Sequence, residues 1–161
     1  MKTRQAQFVK VIAEHAGLLH KVCRIYQSSI GYDDLYQEIV IQLWKSFESF
    51  KGESKISTWI YRVALNTAIT FFKKKRIEFS EIDNIQYKVE ETDEHGTEKS
   101  KQMHQAIALL NDVEKALIFL YLEGKNYEEI SNTLGITEEN TRVKMNRIKN
   151  KLKNTINNGT R

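Results

Sequence analysis

The sequence predicts an all-α chain: two small helical domains joined by a flexible acidic linker. Three observations carry that expectation. Among 161 residues there is no proline, so nothing of that kind interrupts helical runs. Apolar residues recur at helical spacing through most of the chain. Charge falls in blocks: residues 51–76 hold seven Lys or Arg against one Glu, and residues 138–161 hold seven against two. Between them, residues 77–98 carry one Lys against eight acids. Two basic blocks around an acidic one suggest two surfaces that face a polyanion and a spacer that avoids it. The boundaries expected on this basis are 1–77, 78–100 and 101–161.

The first domain reads as three helices, with room for a fourth. The opening one spans about Thr3–Gln27, where Phe8, Ile12, His15, Leu19, Val22 and Tyr26 recur at helical spacing and form a candidate buried stripe. His20 and Cys23 stand three apart, a spacing that two metal ligands can share. No second pair completes a tetrahedral set, so packing or surface roles are the better reading. The next helix, about Asp33–Phe50, follows the Gly31-Tyr32 turn and opens on two capping acids, Asp33 and Asp34. Leu35, Ile39, Gln42 or Leu43, and Phe47 can face inward. Gln37, Glu38, Ile41, Lys45 and part of Trp44 are left on a mixed outer face suited to a partner helix.

A polar loop from Lys51 to Lys55 leads into the third helix, about Ser57–Arg76, with the sequence STWIYRVALNTAITFFKKKRI over residues 57–77. Aromatic side chains interleaved with cations suit single-stranded nucleic acid, because rings stack on unpaired bases while cations follow the backbone. Trp59, Phe71 and Phe72 also suit a core. Tyr61, Arg62, Asn66 and the run Lys73–Arg76 are harder to bury and remain the contact candidates. The stretch from Glu78 to about Ser100 lacks apolar periodicity and reads as a solvated spacer. A rarer reading is a nucleic-acid mimic that covers a basic face.

The second domain contains the clearest motif. Asn126–Leu134 is a short helix, Gly135 a turn, and Glu138–Leu152 a longer, very basic helix: a helix-turn-helix. Thr137 is the expected N-cap of the second helix, with Glu138 and Glu139 in its first turn. At 100° per residue, Thr141, Met145, Ile148 and Leu152 share the packing stripe. Glu139, Asn140, Val143 and Arg147 share the opposite face. Asn and Arg can read adenine and guanine edges, and Val143 can meet a thymine methyl or be an ordinary surface valine. Lys144, Lys149, Lys151 and Lys153 flank that face and suit phosphates.

Several classes are disfavoured. One cysteine, Cys23, gives no intramolecular disulfide, and no apolar run reaches the length of a membrane span or a signal-peptide core. A cytoplasmic, non-membrane protein without metal or other cofactor is expected. A magnesium nuclease built on Asp33, Asp34 and Glu38 is a poor reading, since capping explains the first two and nothing nearby completes a catalytic set. No catalytic residues are assigned, so an enzyme is not expected. A stand-alone helix-turn-helix regulator is the rival, but no apolar helix is left over for the dimer it needs.

The segments DDLYQEIVIQLWKSF, FKGESKISTWIYRVALNTAI and LEGKNYEEISNTLGITEENTRVKMNRIKNKL, in that order, resemble a bacterial RNA polymerase sigma factor of the extracytoplasmic-function type in the sigma-70 family. The first two resemble its region 2 and the last its region 4. The resemblance implies a promoter-specificity subunit whose partners are core RNA polymerase (β′ coiled coil and β flap), promoter DNA and a separate anti-sigma factor. By position it implies that Gln37, Glu38, Ile41 and Trp44 dock on polymerase. It implies that Lys51, Lys55, Trp59, Tyr61, Arg62, Asn66 and Lys73 act in −10 recognition and melting. Tyr127, Glu128, Asn140, Arg142, Val143, Lys144 and Arg147 would meet the −35 duplex, with Thr141 ranked lower because it falls on the packing stripe. Two departures stand out. Asn111-Asp112 replaces the proline usual before the second helix of the C-terminal domain, and Glu139-Asn140-Thr141 replaces a commoner Gly-Thr-Val.

Overall fold

In the computed structural model of the protein the described residues are 3–26, 31–79 and 96–159. They form eight α-helices and one 3-10 turn, with no strand among them. The chain divides into two compact units, one of Met1–Arg24 with Ile30–Asp83 and one of Ile25–Ser29 with Asn84–Arg161.

The single opening helix expected over Thr3–Gln27 is in fact two, α1 (Arg4–Glu14) and α2 (Ala16–Ile25). Thr3 caps α1, its hydroxyl accepting from the Ala6 N–H. The break falls at His15, whose backbone leaves the helical region at φ −114° and ψ 16°. Its N–H bonds back to the Val11 and Ile12 carbonyls, and its ring Nδ1 lies 2.9 Å from the Val11 oxygen. The His15 carbonyl in turn accepts from Leu19, so one residue closes α1 and opens α2. Of the expected stripe, Phe8, Leu19, Val22 and Tyr26 are buried, while Ile12 and His15 are only half-buried. Cys23 is fully buried, and burial pushes its thiol up to about 12. His20 stacks instead on Tyr36 at 5.0 Å and on Tyr32 at 5.7 Å.

Helix α3 (Tyr32–Ser46) starts one residue earlier than expected, and its N-cap is Gly31 with no side-chain cap bond. Asp33 and Asp34 therefore serve its first turn through the helix dipole rather than as caps. Leu35, Ile39 and Leu43 are buried at four-residue spacing. A 3-10 turn over Phe47–Ser49 ends the segment. Helix α4 (Ile56–Phe79) packs against α3 and supplies the rest of this core, with Ile60, Ala64, Leu65, Ala68 and Phe72 on its inner face. Ile60, Leu65 and Phe72 each contribute on the order of 1.5–3 kcal/mol of burial, the two alanines much less.

In the second unit, α5 (Glu98–Ala108), α6 (Asp112–Leu122) and α7 (Tyr127–Leu134) all pack on α8 (Glu138–Gly159). Helix α6 is buried without a break from Lys115 to Leu120 and forms the centre. Asn111 caps it in place of a proline, accepting from the Glu114 N–H at 2.8 Å. Helix α4 continues to Phe79 and α5 begins at Glu98 under a Thr97 cap, so both ends of the expected linker are helical. The rest of that expectation, and the mimic reading with it, falls on residues 80–95, outside the described residues.

The expected cap at Thr137 is present: its hydroxyl accepts from the Asn140 N–H at 3.1 Å. Thr137→Ala is expected to cost about 1 kcal/mol. A lowered midpoint for the second unit in thermal melting would register it; an unchanged midpoint would mean that the cap contributes nothing.

Candidate nucleic-acid interface

The sharp corner between α7 and α8 is set by Gly135, which adopts the left-handed conformation at φ 72° and ψ 32°. Its N–H and that of Ile136 both return to the Ser131 carbonyl, closing the end of α7. Asn126 caps the other end, accepting from the Glu129 N–H at 2.8 Å. The packing stripe expected on α8 is the one observed: Thr141, Met145, Ile148 and Leu152 are its buried residues, facing a fully buried Ile130 on α7. The buried hydroxyls of Ser131, Thr133 and Thr141 bond to carbonyls of the preceding turn, so they need no outside partner.

This packing turns Asn140, Val143, Lys144 and Arg147 to solvent, with Val143 43% exposed. Asn146 and Asn150 extend the same outward face and had not been singled out from sequence; the 100° plot that found Val143 finds them too. Arg142 lies on the flank, 3.5 Å from Glu138 one turn earlier. Two of the four flanking lysines are engaged within the protein, while Lys153 is exposed. Lys151 is paired with Glu114 of α6 at 2.8 Å. Lys149 points at two tyrosines, 4.5 Å from the Tyr121 ring centre, and donates to the Tyr127 hydroxyl at 3.1 Å. Lys144 stays on the exposed face. Tyr127 is half-buried and Glu128 exposed at the start of α7.

In the first unit, α4 sorts its residues by the same geometry. Arg62, Asn66, Thr70 and Lys73 fall on its exposed line, Thr70 being a position that the sequence reading passed over. Tyr61 points the other way and is buried, 7% exposed, because its position lies about 200° from Trp59. The expectation that Tyr61 is hard to bury is corrected. Trp59 starts the exposed line yet is only 9% exposed, since Phe50 and Phe47 cover it at ring distances of 5.1 and 6.2 Å. The loop carrying Lys51 and Lys55 is exposed and turns at Gly52, φ 75°. Among the described residues no group of three or more His, Cys, Asp or Glu is placed to hold a metal ion. No described helix is long and apolar enough to cross a membrane.

Residues 11–77 match the family model Sigma-70 region 2, and residues 100–152 match Sigma-70, region 4. The chain belongs to the sigma-70 family. Among the relatives of this sigma-70 chain is the ECF RNA polymerase sigma-E factor of Escherichia coli strain K12, 27% identical over 157 residues, with 85% of this chain and 81% of that protein covered. The ECF RNA polymerase sigma factor SigG of Mycobacterium tuberculosis is 41% identical over 59 residues, 37% of this chain and 16% of that one. Similar in fold is the sigma factor RpoE of Bartonella quintana, solved with the anti-sigma factor NepR: TM-score 0.77, 17% identity, 94% of this chain and 97% of that chain. CnrH, solved with the cytosolic domain of CnrY, has a TM-score of 0.64 at 16% identity, covering 96% and 90%.

The outer face of α3, which the sigma-70 resemblance assigns to polymerase docking, is open at Gln37 and at Ile41, the latter 45% exposed. Glu38 is half-buried and accepts from Gln42 Nε2 at 3.0 Å. Trp44 is less open than its sequence position suggests. Phe8 meets its ring edge-on at 5.0 Å and the Arg4 guanidinium lies 4.3 Å above it. Arg4 also pairs with Glu48 at 2.7 Å, tying the start of α1 to the end of this face.

Proposed function

We propose that this chain is a sigma factor of the extracytoplasmic-function type that binds core RNA polymerase and directs it to a class of promoters. The observation that carries the reading is the presence, in order in one chain, of a region 2 unit and a region 4 unit whose reading helix turns Asn140, Val143 and Arg147 outward. In this reading residues 1–77 bind polymerase and handle the −10 element, residues 78–100 link, and residues 101–161 bind the −35 duplex. Gln37, Glu38, Ile41 and Trp44 meet the β′ coiled coil, and the second unit meets the β flap. Lys51, Lys55, Arg62, Asn66 and Lys73 track and hold the opened −10 strand. The buried Trp59 and Tyr61 shape that surface from beneath.

The chain supplies recognition and opening but no bond chemistry, so it is not an enzyme and works in the cytoplasm where the polymerase is. A separate anti-sigma factor is its natural regulator; the structure of the similar sigma factor RpoE with the anti-sigma factor NepR supports that part. Free duplex should bind weakly, because each unit offers a small footprint. Run-off transcription on a genomic fragment library, with purified core polymerase and with or without the chain, tests the reading. Discrete transcripts that depend on the chain and share two upstream elements are expected. Transcripts independent of it would refute the proposal.

A further inference from the structure

Lys149 stands on the flank of α8, but its ammonium is turned inward to the corner where α6 ends and α7 begins. It lies 4.5 Å from the Tyr121 ring centre and 5.7 Å from that of Tyr127, and it donates to the Tyr127 hydroxyl at 3.1 Å. Those two rings sit on either side of the turn through Gly124, itself at φ 82°. One cation thus ties three helices together beside the reading face. We propose that Lys149 is a positioning residue for −35 recognition, acting through Tyr127 rather than touching the DNA itself.

The chemistry follows from the donor count. The ammonium donates into a lone pair of the Tyr127 oxygen and can accept nothing, so the single phenolic proton must be offered to another acceptor. With its lone pair so occupied, the hydroxyl is polarised and becomes a better donor, and its direction is fixed away from Lys149. A phosphate oxygen of a duplex lying along the start of α7 is the acceptor that such a group suits, alongside the first-turn amides of that helix. The same contacts raise the Lys149 pKa, the hydrogen bond to Tyr127 being the largest cause. Lys144, by contrast, lies on the exposed face, where a direct phosphate contact is the natural role. The sequence shows only a basic flank; the difference between the two lysines comes from Tyr121 and Tyr127.

This inference rests on the proposed −35 role of the second unit, and the test separates the two. Reconstituted holoenzyme is bound to a promoter fragment and to the same fragment with a scrambled −35 element, over a range of salt. The proteins are the parent, Lys149→Met, Tyr127→Phe, the double variant and Lys149→Arg, each first checked for an unchanged melting curve. Because Lys149 is exposed, these variants should fold; Lys149→Gln serves if the Met variant does not. The expected result is a loss of about fivefold for each single variant on the intact promoter. The double variant should lose scarcely more, and Lys149→Arg should recover most of the loss. Additive losses in the double variant, with a salt slope lower by about 0.9 for every Lys149→Met protein, would make Lys149 a direct phosphate contact and overturn the inference alone. A parent holoenzyme indifferent to scrambling of the −35 element would overturn the −35 role and the inference together.

Discussion

Trp59→Ala is expected to destabilise the first unit by about 3–5 kcal/mol and to abolish promoter opening, while −35 binding by the second unit persists. Trp59 is 9% exposed, and its ring is the floor on which Phe50 and Phe47 rest. Those two residues anchor the near end of the Lys51–Lys55 loop, and Trp59 itself stands in the first turn of α4, its N–H bonded to the Lys55 carbonyl. Removing the indole leaves a cavity beneath a loop that has few other apolar anchors. Trp59→Phe keeps an aromatic floor and should cost far less. Thermal melting and permanganate reactivity of the −10 thymines check both halves. If Trp59→Ala left the melt unchanged yet blocked opening, the ring would be a base contact instead of an anchor. If opening were unaffected by either variant, α4 would have no part in it.

The second large effect is expected at Arg147. Arg147→Ala should cost about 1–3 kcal/mol, roughly a 5- to 150-fold loss in holoenzyme binding, and the loss should vanish when one particular −35 base pair is changed. Arg147 is exposed on the line of Asn140 and Val143, opposite a stripe that is wholly buried, so its removal should not unfold α8. An equal loss on every promoter would instead mark a phosphate contact. Asn140 and Arg147 can both make bidentate contacts to base edges, whereas Arg142 is held on the flank with Glu138.

How much of this was legible beforehand varied with the kind of residue. Helix α8 was read almost completely because a surface helix with one buried stripe obeys its 3.6-residue period without interference. The caps at Thr137 and Asn111 were equally plain, since a side-chain oxygen before a first turn is a local signal. The break at His15 was not legible: the apolar spacing runs through it, and no proline or glycine occupies the site. It shows only in the backbone turn at His15 itself; the ring bond to Val11 accompanies the break without causing it, since His104 makes the same bond inside an unbroken α5. Tyr61 was misjudged by composition, an aromatic beside an arginine, when its angle on α4 already pointed inward. The roles of Lys149 and Lys151 lay beyond any local reading, because Tyr121, Tyr127 and Glu114 are 37 to 22 residues away and meet them only through the packing of α6 and α7 on α8. The same holds for Trp44, whose outer ring face is covered by Arg4, 40 positions earlier.

The stand-alone regulator remains the sharpest contrast, since it shares the helix-turn-helix and differs in what must accompany it. Size-exclusion chromatography of the purified chain with its host's core RNA polymerase, followed by binding to duplex DNA of each peak, separates the two most directly. The chain should co-elute with the polymerase, and only that complex should bind promoter fragments tightly. A chain that elutes apart from the polymerase, as a dimer that binds a palindromic duplex tightly by itself, would contradict the account.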